Sequence, residues 1–278
     1  MSEDTGRYSV SGGTQSIERA ALLLRLIADN NRTGLRLVDL YQTAGLQRPT
    51  AHRILQSLTS ERLVKQDSKT RRYFLGPQLY EMGLAAAPKA PLHDICHRHL
   101  QVLADRSGDT VFLTERSRFD GVCTDRVEGA YPIKVFALDI GRRRPLNVGA
   151  GSLAILSALS DVEVDRIFSA NLERTSERYS DYSEQLQREC VEAGRQKGYV
   201  LHDILGVPGV RAIGVPIRNA EGQPVAGISI STLVSRLEGE RVRQLASYLF
   251  EAQRAIEPEV IAFSMEANRL RGRAFVDD

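Results

Sequence analysis

The stretch at 45–55 reads GLQRPTAHRIL, and it decides the fold of the N-terminal region. Pro49 suits the first turn of a helix, because an N–H would have no partner there. Gly45 suits the left-handed position that ends a helix. We therefore predict a helix over 48–61, preceded by a turn and by a short helix that begins near Leu37. Two short helices joined by a turn containing glycine are typical of a helix-turn-helix.

The helix predicted over 48–61 has two chemically distinct faces. Apolar residues recur at helical spacing and form its buried face, namely Ala51, Ile54, Leu55 and Leu58. The opposite face offers donors that suit base edges in a DNA major groove, and a threonine near the helix start suits a phosphate. The predicted DNA-contacting residues of this helix are Arg48, Thr50, His52, Arg53 and Gln56.

Residues on either side extend this motif to a winged helix. Ser16 is a candidate N-cap for a first helix that ends near Asn30. Residues 63–76 alternate around a polar turn and predict a β-hairpin. The basic side chains of this hairpin are predicted to lie along the DNA backbone or in the minor groove as a wing: Lys65, Lys69, Arg71 and Arg72.

The charge of the chain is concentrated at its N-terminal end. Residues 1–76 hold 12 Lys/Arg and 7 Asp/Glu, a net charge of +5, whereas the remaining residues carry a net charge of −3. A basic N-terminal quarter on a slightly acidic body fits a head that binds double-stranded DNA. The alternative is a solvated helix face with a charged surface turn. We predict a flexible tail over 1–15 and a winged helix-turn-helix over 16–76.

The remainder of the chain is predicted to form a larger domain. Pro77 opens a linker helix, and two further prolines close the linker, which we place over 77–91. Strands and helices follow in blocks with antiparallel hairpins, which favours an α+β domain over 92–262, with a loose tail over 263–278. Helices are predicted at 92–107, 150–159, 161–170, 181–197 and 238–262, and strands at 110–116, 121–127, 133–137, 199–203, 210–217 and 224–230.

The composition argues against several classes of protein. With 42% hydrophobic and 26% charged residues, the chain has an ordinary globular composition. It has no apolar run long enough for a membrane helix and no apolar signal region, and its three scattered cysteines fit a reducing cytoplasm. No P-loop, GxGxxG or Ser-His-Asp order stands in an interpretable context. A possible metal cluster consists of His93, Cys96, His97 and His99. No second cluster completes a coordination sphere, unless folding brings Cys123 or His202 close, so we expect no metal site and no cofactor.

Together these motifs resemble the IclR family of bacterial transcriptional regulators. In the N-terminal region the resemblance is carried by residues 16–20, 45–55 and 72–76, and in the C-terminal region by 110–113, 125–129, 141–146, 188–199, 209–217 and 227–231. The resemblance implies a winged helix-turn-helix, a linker helix and a GAF-like α/β effector-binding domain. It also implies dimers, or dimers of dimers, on palindromic operators.

The resemblance further implies where a small-molecule effector lies. It places contacts on Ala150, Gly151, His202, Ala212, Ser229 and Ser231, with Asp203 beside them. From the residues themselves, the small and flexible stretch 147–152 leads into a helix, whose N-terminal N–H groups favour a carboxylate. Ser229 and Ser231 alternate along one strand, so both hydroxyls face the same side. The alternative is that the glycines only form a tight turn and the serines face solvent.

Three positions depart from the family pattern. Asn147 stands where many members have histidine, His202 where some have an acidic residue, and Ala212 where cysteine is frequent. We hypothesise that an organic acid or aromatic catabolite is the effector, and we predict a repressor whose operator binding this effector modulates by shifting a conformational equilibrium. One alternative is an enzyme that acts on the same molecule and carries the winged helix as an appendage. Another is a winged helix used only for protein interaction.

Overall fold

The computed structural model describes residues 15–86, 92–135, 138–179, 181, 183–204 and 206–274, with side chains as far as residue 265. The chain divides into two compact units, Met1–Ala87 and Pro88–Asp278, and the division falls inside the linker predicted over 77–91. We call the first unit the head and the second the α/β domain, and treat each as a separate body.

The head is a winged helix-turn-helix, as predicted. Its elements are α1 (Gln15–Asp29), α2 (Leu37–Thr43), α3 (Arg48–Ser60), β1 (Val64–Gln66), β2 (Tyr73–Leu75) and α4 (Pro77–Ala86). The two strands pair antiparallel, and a single bridge between Leu35 and Tyr73 joins the stretch before α2 to this hairpin. Gly45 follows α2 with a φ of +61°, the left-handed conformation expected of a residue that ends a helix.

A small hydrophobic core holds the head together. Fully buried side chains from its first three helices meet there, namely Leu23, Ile27, Leu40 and Leu55. Gly76, at the end of the wing, is required by a close approach, because a Cβ atom there would lie 2.0 Å from the carbonyl oxygen of Arg62. The backbone N–H of Gly76 also donates to the carbonyl oxygen of Leu63 at 2.8 Å. The close approach and this hydrogen bond hold the end of the wing against the segment that follows α3.

The α/β domain is built on one antiparallel sheet. Its elements are α5 (Leu92–Ser107), β3 (Thr110–Ser117), β4 (Asp120–Val127), β5 (Arg143–Pro145), α6 (Ala150–Ser157), α7 (Asp161–Arg178), α8 (Glu184–Lys197), β6 (Val200–Asp203), β7 (Val210–Arg218), β8 (Pro224–Leu233), a 3-10 turn (Val234–Arg236) and α9 (Gly239–Ala274). The strand order across the sheet is β5-β4-β3-β8-β7-β6. Each neighbouring pair of strands is antiparallel, in agreement with the α+β class predicted from the sequence.

The two faces of this sheet differ in side-chain size. One face carries aliphatic side chains such as Leu113, Ile213 and Ile228, and these pack with residues of α5 and α9 in the main core. The other face approaches α6 so closely that a Cβ atom on Gly227 would lie 2.2 Å from the carbonyl oxygen of Gly151. Small residues on this second face therefore let α6 rest directly on the sheet.

One predicted strand is wrong, and one real strand was missed. The strand predicted over 133–137 is absent at 133–135, while 136–137 lie outside the described residues. The sheet instead ends with β5, whose Arg143 and Pro145 pair with β4. Arginines followed by a proline give no strand signal, but an edge strand tolerates proline because one side of its ladder has no partner.

The C-terminal helix is longer than predicted. Its end was expected near residue 262, with a loose tail over 263–278, but α9 continues to Ala274. The tail prediction is wrong as far as Ala274, because residues 265–274 include Met, Glu, Ala, Leu and Arg, which are good helix formers. Residues 275–278, like 1–14 of the predicted N-terminal tail, lie outside the described residues. Although α9 has 36 residues, neither it nor any other described helix is apolar enough to cross a membrane.

Candidate functional site

An open groove of about 740 Å³ lies between α3 and the wing of the head. Arg48 and His52 line it from α3, because residues four apart share one side of a helix. Arg71 lines it from the wing, and Arg36 from the residue before α2. Among the described residues, none of these three arginines has an ion-pair partner. Their charge therefore faces solvent in one concave surface, as contact with DNA requires.

The remaining predicted contacts on α3 lie outside the lining of this groove. Arg53 and Gln56 are exposed, and Thr50 is half-buried. Arg53 follows His52 directly, so its side chain leaves the helix about 100° further round the axis. These residues extend the polar surface of α3 beyond the groove, and their contacts with DNA stay a prediction.

A carboxylate orders the turn of the wing. Asp67 accepts hydrogen bonds from the backbone N–H groups of Lys69 and Thr70, at 3.2 and 2.7 Å, and from the Thr70 hydroxyl at 2.7 Å. These bonds, led by the Thr70 N–H, hold the pKa of the Asp67 carboxyl below its usual value. The turn therefore presents Lys69 and Arg71 from an ordered backbone.

Arg72, predicted as a wing contact, is engaged within the head instead. Its Nη1 donates to the carbonyl oxygen of Gly34 at 2.7 Å and to that of Thr33 at 3.4 Å. The side chain thus ties the wing to the loop between α1 and α2. Lys65 is exposed, and its ammonium lies 6.0 Å from the centre of the Phe74 ring. Lys65 is therefore more available for contact with DNA than Arg72.

A second candidate site is a small cleft of about 40 Å³ in the α/β domain, between α6 and the sheet. Five of the seven predicted effector contacts line it, namely Ala150, Gly151, Ala212, Ser229 and Ser231. The strand residues meet because Ala212 lies opposite Ser231 in the ladder, while Ser229 stands two residues away on the same face.

The polar end of this cleft is the first turn of α6. Gly149 precedes the helix with a φ of +93°, a conformation that suits glycine, and Ala150 begins it. The first N–H groups of a helix have no partner inside it. Gly151 lies close to two hydroxyls, because a Cβ atom there would lie 3.0 Å from Thr114 Oγ1 and 3.4 Å from Ser229 Oγ. Backbone donors and hydroxyls therefore converge at this end.

Sequence reasoning missed the cationic and apolar walls of the cleft. Arg144, in β5, lines it and is half-buried. Phe112, Leu138 and Ile204 supply apolar surface. The run of arginines directly before the 147–152 stretch was a signal for Arg144, but nothing in the sequence shows which of the three turns inward.

His202 and Asp203 are not part of the cleft lining. His202 lies opposite Ala212 on β6, is 3% exposed, and has its Nδ1 3.7 Å from Cys190 Sγ. Burial lowers the pKa of His202 to about 4, so the imidazole is neutral at neutral pH. Asp203 is exposed and accepts from Arg211, with Nη2 3.2 Å from Oδ2, and this bond lowers the pKa of Asp203.

Asn147 also lies away from the cleft. Its amide nitrogen donates to Gln187 Oε1 at 2.7 Å and to Thr175 Oγ1 at 3.3 Å, and the residue is 2% exposed. The side chain joins the loop before α6 to α7 and α8. The departure from histidine at this position therefore affects packing between helices.

The two units together define a class of protein. A winged helix-turn-helix with a cationic groove binds DNA, and the same chain carries a separate α/β domain that contains a second cleft. This architecture is that of a DNA-binding transcriptional regulator.

Comparison with known proteins identifies the family. The family model described as "IclR helix-turn-helix domain" matches residues 16–68, and the one described as "Bacterial transcriptional regulator IclR C-terminal" matches residues 84–258. The chain therefore belongs to the IclR family of bacterial transcriptional regulators. The family and the relatives are regulators, and the alternative of an enzyme is not supported.

Relatives match along nearly the whole chain. The Transcriptional repressor IclR of Escherichia coli is 26% identical over 248 residues, which are 88% of this chain and 90% of the repressor. The IclR-type regulator of Alicyclobacillus acidocaldarius has a crystal structure that superposes with a TM-score of 0.72 at 23% identity, covering 89% and 99% of the two chains. An IclR homologue from Microbacterium hydrocarbonoxydans, complexed with 4-hydroxybenzoate, gives 0.67 at 18% identity, covering 88% and 99%.

Proposed function

We propose that this regulator is a repressor that binds a palindromic operator as a dimer or a dimer of dimers, and that a small organic acid bound in the cleft beside α6 controls its affinity for DNA. The acid is of the aromatic or short aliphatic kind that catabolism produces. The observation that carries this proposal is the composition of the cleft, which combines the Arg144 guanidinium, the first turn of α6 and two serine hydroxyls with apolar side chains.

The donors in the cleft suit a carboxylate. Arg144 offers a forked guanidinium, and the first turn of α6 offers backbone N–H groups near its positive dipole end. Ser229 and Ser231 offer hydroxyls that can accept from or donate to further oxygens of a ligand. Phe112 and the neighbouring aliphatic side chains suit an apolar body.

The size of the cleft supports a coupling to conformation. A volume of about 40 Å³ holds a carboxylate-sized group, whereas ligand pockets are typically about 300 Å³ or more. A larger acid must therefore displace some of the lining side chains when it binds. Such a ligand would bind more tightly to the domain with these side chains displaced than to the domain with the narrow cleft. A difference in affinity between two arrangements is the condition for shifting their populations.

The exposed helix α4 supports self-association. Tyr80, Met82 and Leu84 of this helix are all more than half exposed, and α4 has no buried residue. Several large apolar side chains on one exposed helix mark a protein–protein contact. A two-fold pairing through such a helix would match the two halves of a palindromic operator.

Calorimetry with a panel of carboxylic acids, starting with 4-hydroxybenzoate, tests the effector class. We expect one acid to bind, and Arg144→Met to weaken that binding by at least about tenfold, because the lost pair is worth roughly 1.5–3 kcal/mol. The matched control is Arg143→Met, since Arg143 is exposed, outside the cleft lining, and paired with Asp120 at 3.1 Å. Absence of heat with every acid, or equal loss in both variants, would contradict the proposal.

Fluorescence anisotropy on the promoter beside the regulator's own gene tests the coupling. We expect salt-dependent binding of the intact protein to this DNA, and a change of affinity when the acid found by calorimetry is added. The Arg144→Met variant should bind DNA normally but respond only at higher acid concentration. An acid that binds without changing DNA affinity would contradict control of the operator by this cleft.

A further inference from the structure

Three side chains outside both sites converge where α5 meets β4. His93 and His97 stand four residues apart on α5 and therefore share one side of the helix, and Asp125 on β4 lies against them. We propose that these three residues form a binding site for a divalent transition-metal ion of the zinc class. The site lies on the α5 side of the domain and is separate from the cleft beside α6.

The distances between the potential ligand atoms suit a metal ion. His97 Nδ1 lies 2.7 Å from Asp125 Oδ2, and His93 Nε2 lies 3.7 Å from Asp125 Oδ1. One ligand atom from each residue lies within 4.8 Å of the others. Ligand atoms about 2.1 Å from a tetrahedral zinc ion are roughly 3.4 Å apart. Small rotations of the two imidazoles, which are 40% and 42% exposed, can therefore bring all three atoms to bonding distance.

Each potential ligand also has a partner that orients it. His93 Nδ1 contacts Asp94 Oδ1 at 2.9 Å, which leaves Nε2 directed toward the site, as in the carboxylate–histidine–metal arrangement. Asp125 Oδ1 accepts from the backbone N–H of Arg126 at 2.8 Å. Gln101 contacts His97 Nε2 at 3.0 Å, and its amide can present an oxygen to that nitrogen when Nδ1 binds the metal.

The type of ligand restricts the ion. Two imidazole nitrogens and one carboxylate oxygen favour Zn²⁺, Co²⁺ or Ni²⁺ over Mg²⁺ and Ca²⁺, which take oxygen ligands. Asp125 has only 4% of its side chain exposed, and a nearby dication would compensate its charge. The half-exposed histidines leave the outer side of the site open for water as a further ligand. Cys96 lies between the two histidines in sequence but is buried in the main core.

Titration of the intact, untagged, metal-free chain with Co²⁺ near neutral pH tests the site. We expect visible d–d absorption that saturates at one ion per chain, disappears on addition of Zn²⁺, and is accompanied by a rise in Tm. His97→Ala should weaken binding by at least roughly 100-fold, because it removes a ligand rather than an outer-shell partner. The matched control is His99→Ala, on the same helix, whose imidazole contacts Glu259 at 3.1 Å instead.

His93→Ala is a second variant that removes a different ligand. Because both histidines are partly exposed, we expect both variants to fold, and circular dichroism checks this for each. Loss of binding in both folded variants, with normal binding in His99→Ala, would support the site. The absence of one-to-one binding, or equal affinity in wild type, His93→Ala and His97→Ala, would overturn it and leave these residues as a hydrogen-bond network around Asp125. Binding of carboxylic acids in the cleft is measured in a separate experiment, so failure of the metal-site proposal can be told apart from failure of the proposed function.

Discussion

The groove of the head and the cleft of the α/β domain are built in opposite ways. The groove draws its cations from residues 36–71, and those side chains are exposed on helices and turns close together in sequence. The cleft draws its lining from residues 112–231, carried by strands and loops that meet only in the folded sheet. In the part of the chain that the structure describes, the three arginines that line the groove have no ion-pair partner, whereas the α/β domain holds buried carboxylates such as Asp109, which pairs with Arg236. Substitutions at the exposed cations of the groove should therefore alter DNA binding, and substitutions at buried ion pairs should alter stability.

The largest effect that this comparison predicts is at Asp109. Its carboxylate, 2% exposed, accepts from Arg236 Nε at 3.1 Å and from the Thr232 hydroxyl at 2.7 Å. Asp109→Ala would leave the Arg236 guanidinium without its carboxylate partner and should reduce the free energy of unfolding by about 3–5 kcal/mol, toward the lower end because Arg236 keeps some exposure. Urea denaturation of the full chain measures this change.

The control for Asp109 is an ion pair of the same kind at the surface. Glu240 pairs with Arg243 across one turn of α9, and their side chains are 79% and 75% exposed. Glu240→Ala should change the unfolding free energy by less than about 0.5 kcal/mol, since exposed pairs contribute little. Equal losses of unfolding free energy at Asp109 and Glu240 would show that burial does not determine how much an ion pair contributes to stability.

His202 should make the α/β domain sensitive to mild acid. Burial lowers its pKa from 6.5 to about 4, so in this range the unfolded chain binds a proton that the folded chain does not. Stability is then greatest above pH 6.5 and falls as the pH drops toward 4, by at most about 3 kcal/mol. Urea denaturation across this range should show a smaller pH dependence for His202→Gln than for wild type. The same pH dependence in both proteins would rule out His202 as the cause.

The contrast also explains what the sequence could predict. Arg48 and His52 follow from helical spacing, because both stand on one helix whose buried face is readable. Arg36 was missed, since its place in the groove depends on how α2 meets α3 and the wing. Ser229 and Ser231 follow from strand alternation. The same alternation argues against Asp203, which follows His202 and so points to the opposite face of β6 from it.

Contacts that depend on distant parts of the chain were beyond local patterns. Arg144 reaches the cleft only because β5 joins the edge of the sheet, and β5 itself has no strand signal. Asn147 lies two residues before Gly149 yet turns toward α7 and α8. Asp125 meets His97 across an interval of 28 residues, so the spacing of the histidines alone did not show a third ligand. Each of these placements is decided by tertiary packing.

In the head, Arg48→Ala should affect binding without affecting stability. Arg48 begins α3 and lines the groove, the position from which a recognition helix reads base edges. Loss of a base contact should weaken operator binding by about 1–3 kcal/mol and relax specificity at one base pair. Arg25→Ala, which removes the same charge from an exposed site on α1 outside the groove, is the control. Equal weakening by both variants would mean that only net charge matters.

The smallest predicted effect compares an exposed and a half-buried basic residue of the wing. Lys69 is exposed in the wing, so Lys69→Ala should remove one phosphate contact and reduce the slope of log affinity against log salt by about 0.9. Arg72 is half-buried and held by the Gly34 carbonyl at 2.7 Å, so Arg72→Ala should leave this slope unchanged and cost about 1 kcal/mol of stability. Anisotropy over a salt series and urea denaturation separate the two outcomes. If Arg72→Ala also reduces the slope by about 0.9, Arg72 contacts phosphate despite its bond to the loop. The burial of a basic side chain would then not predict whether it binds DNA or stabilises the fold, even within one hairpin.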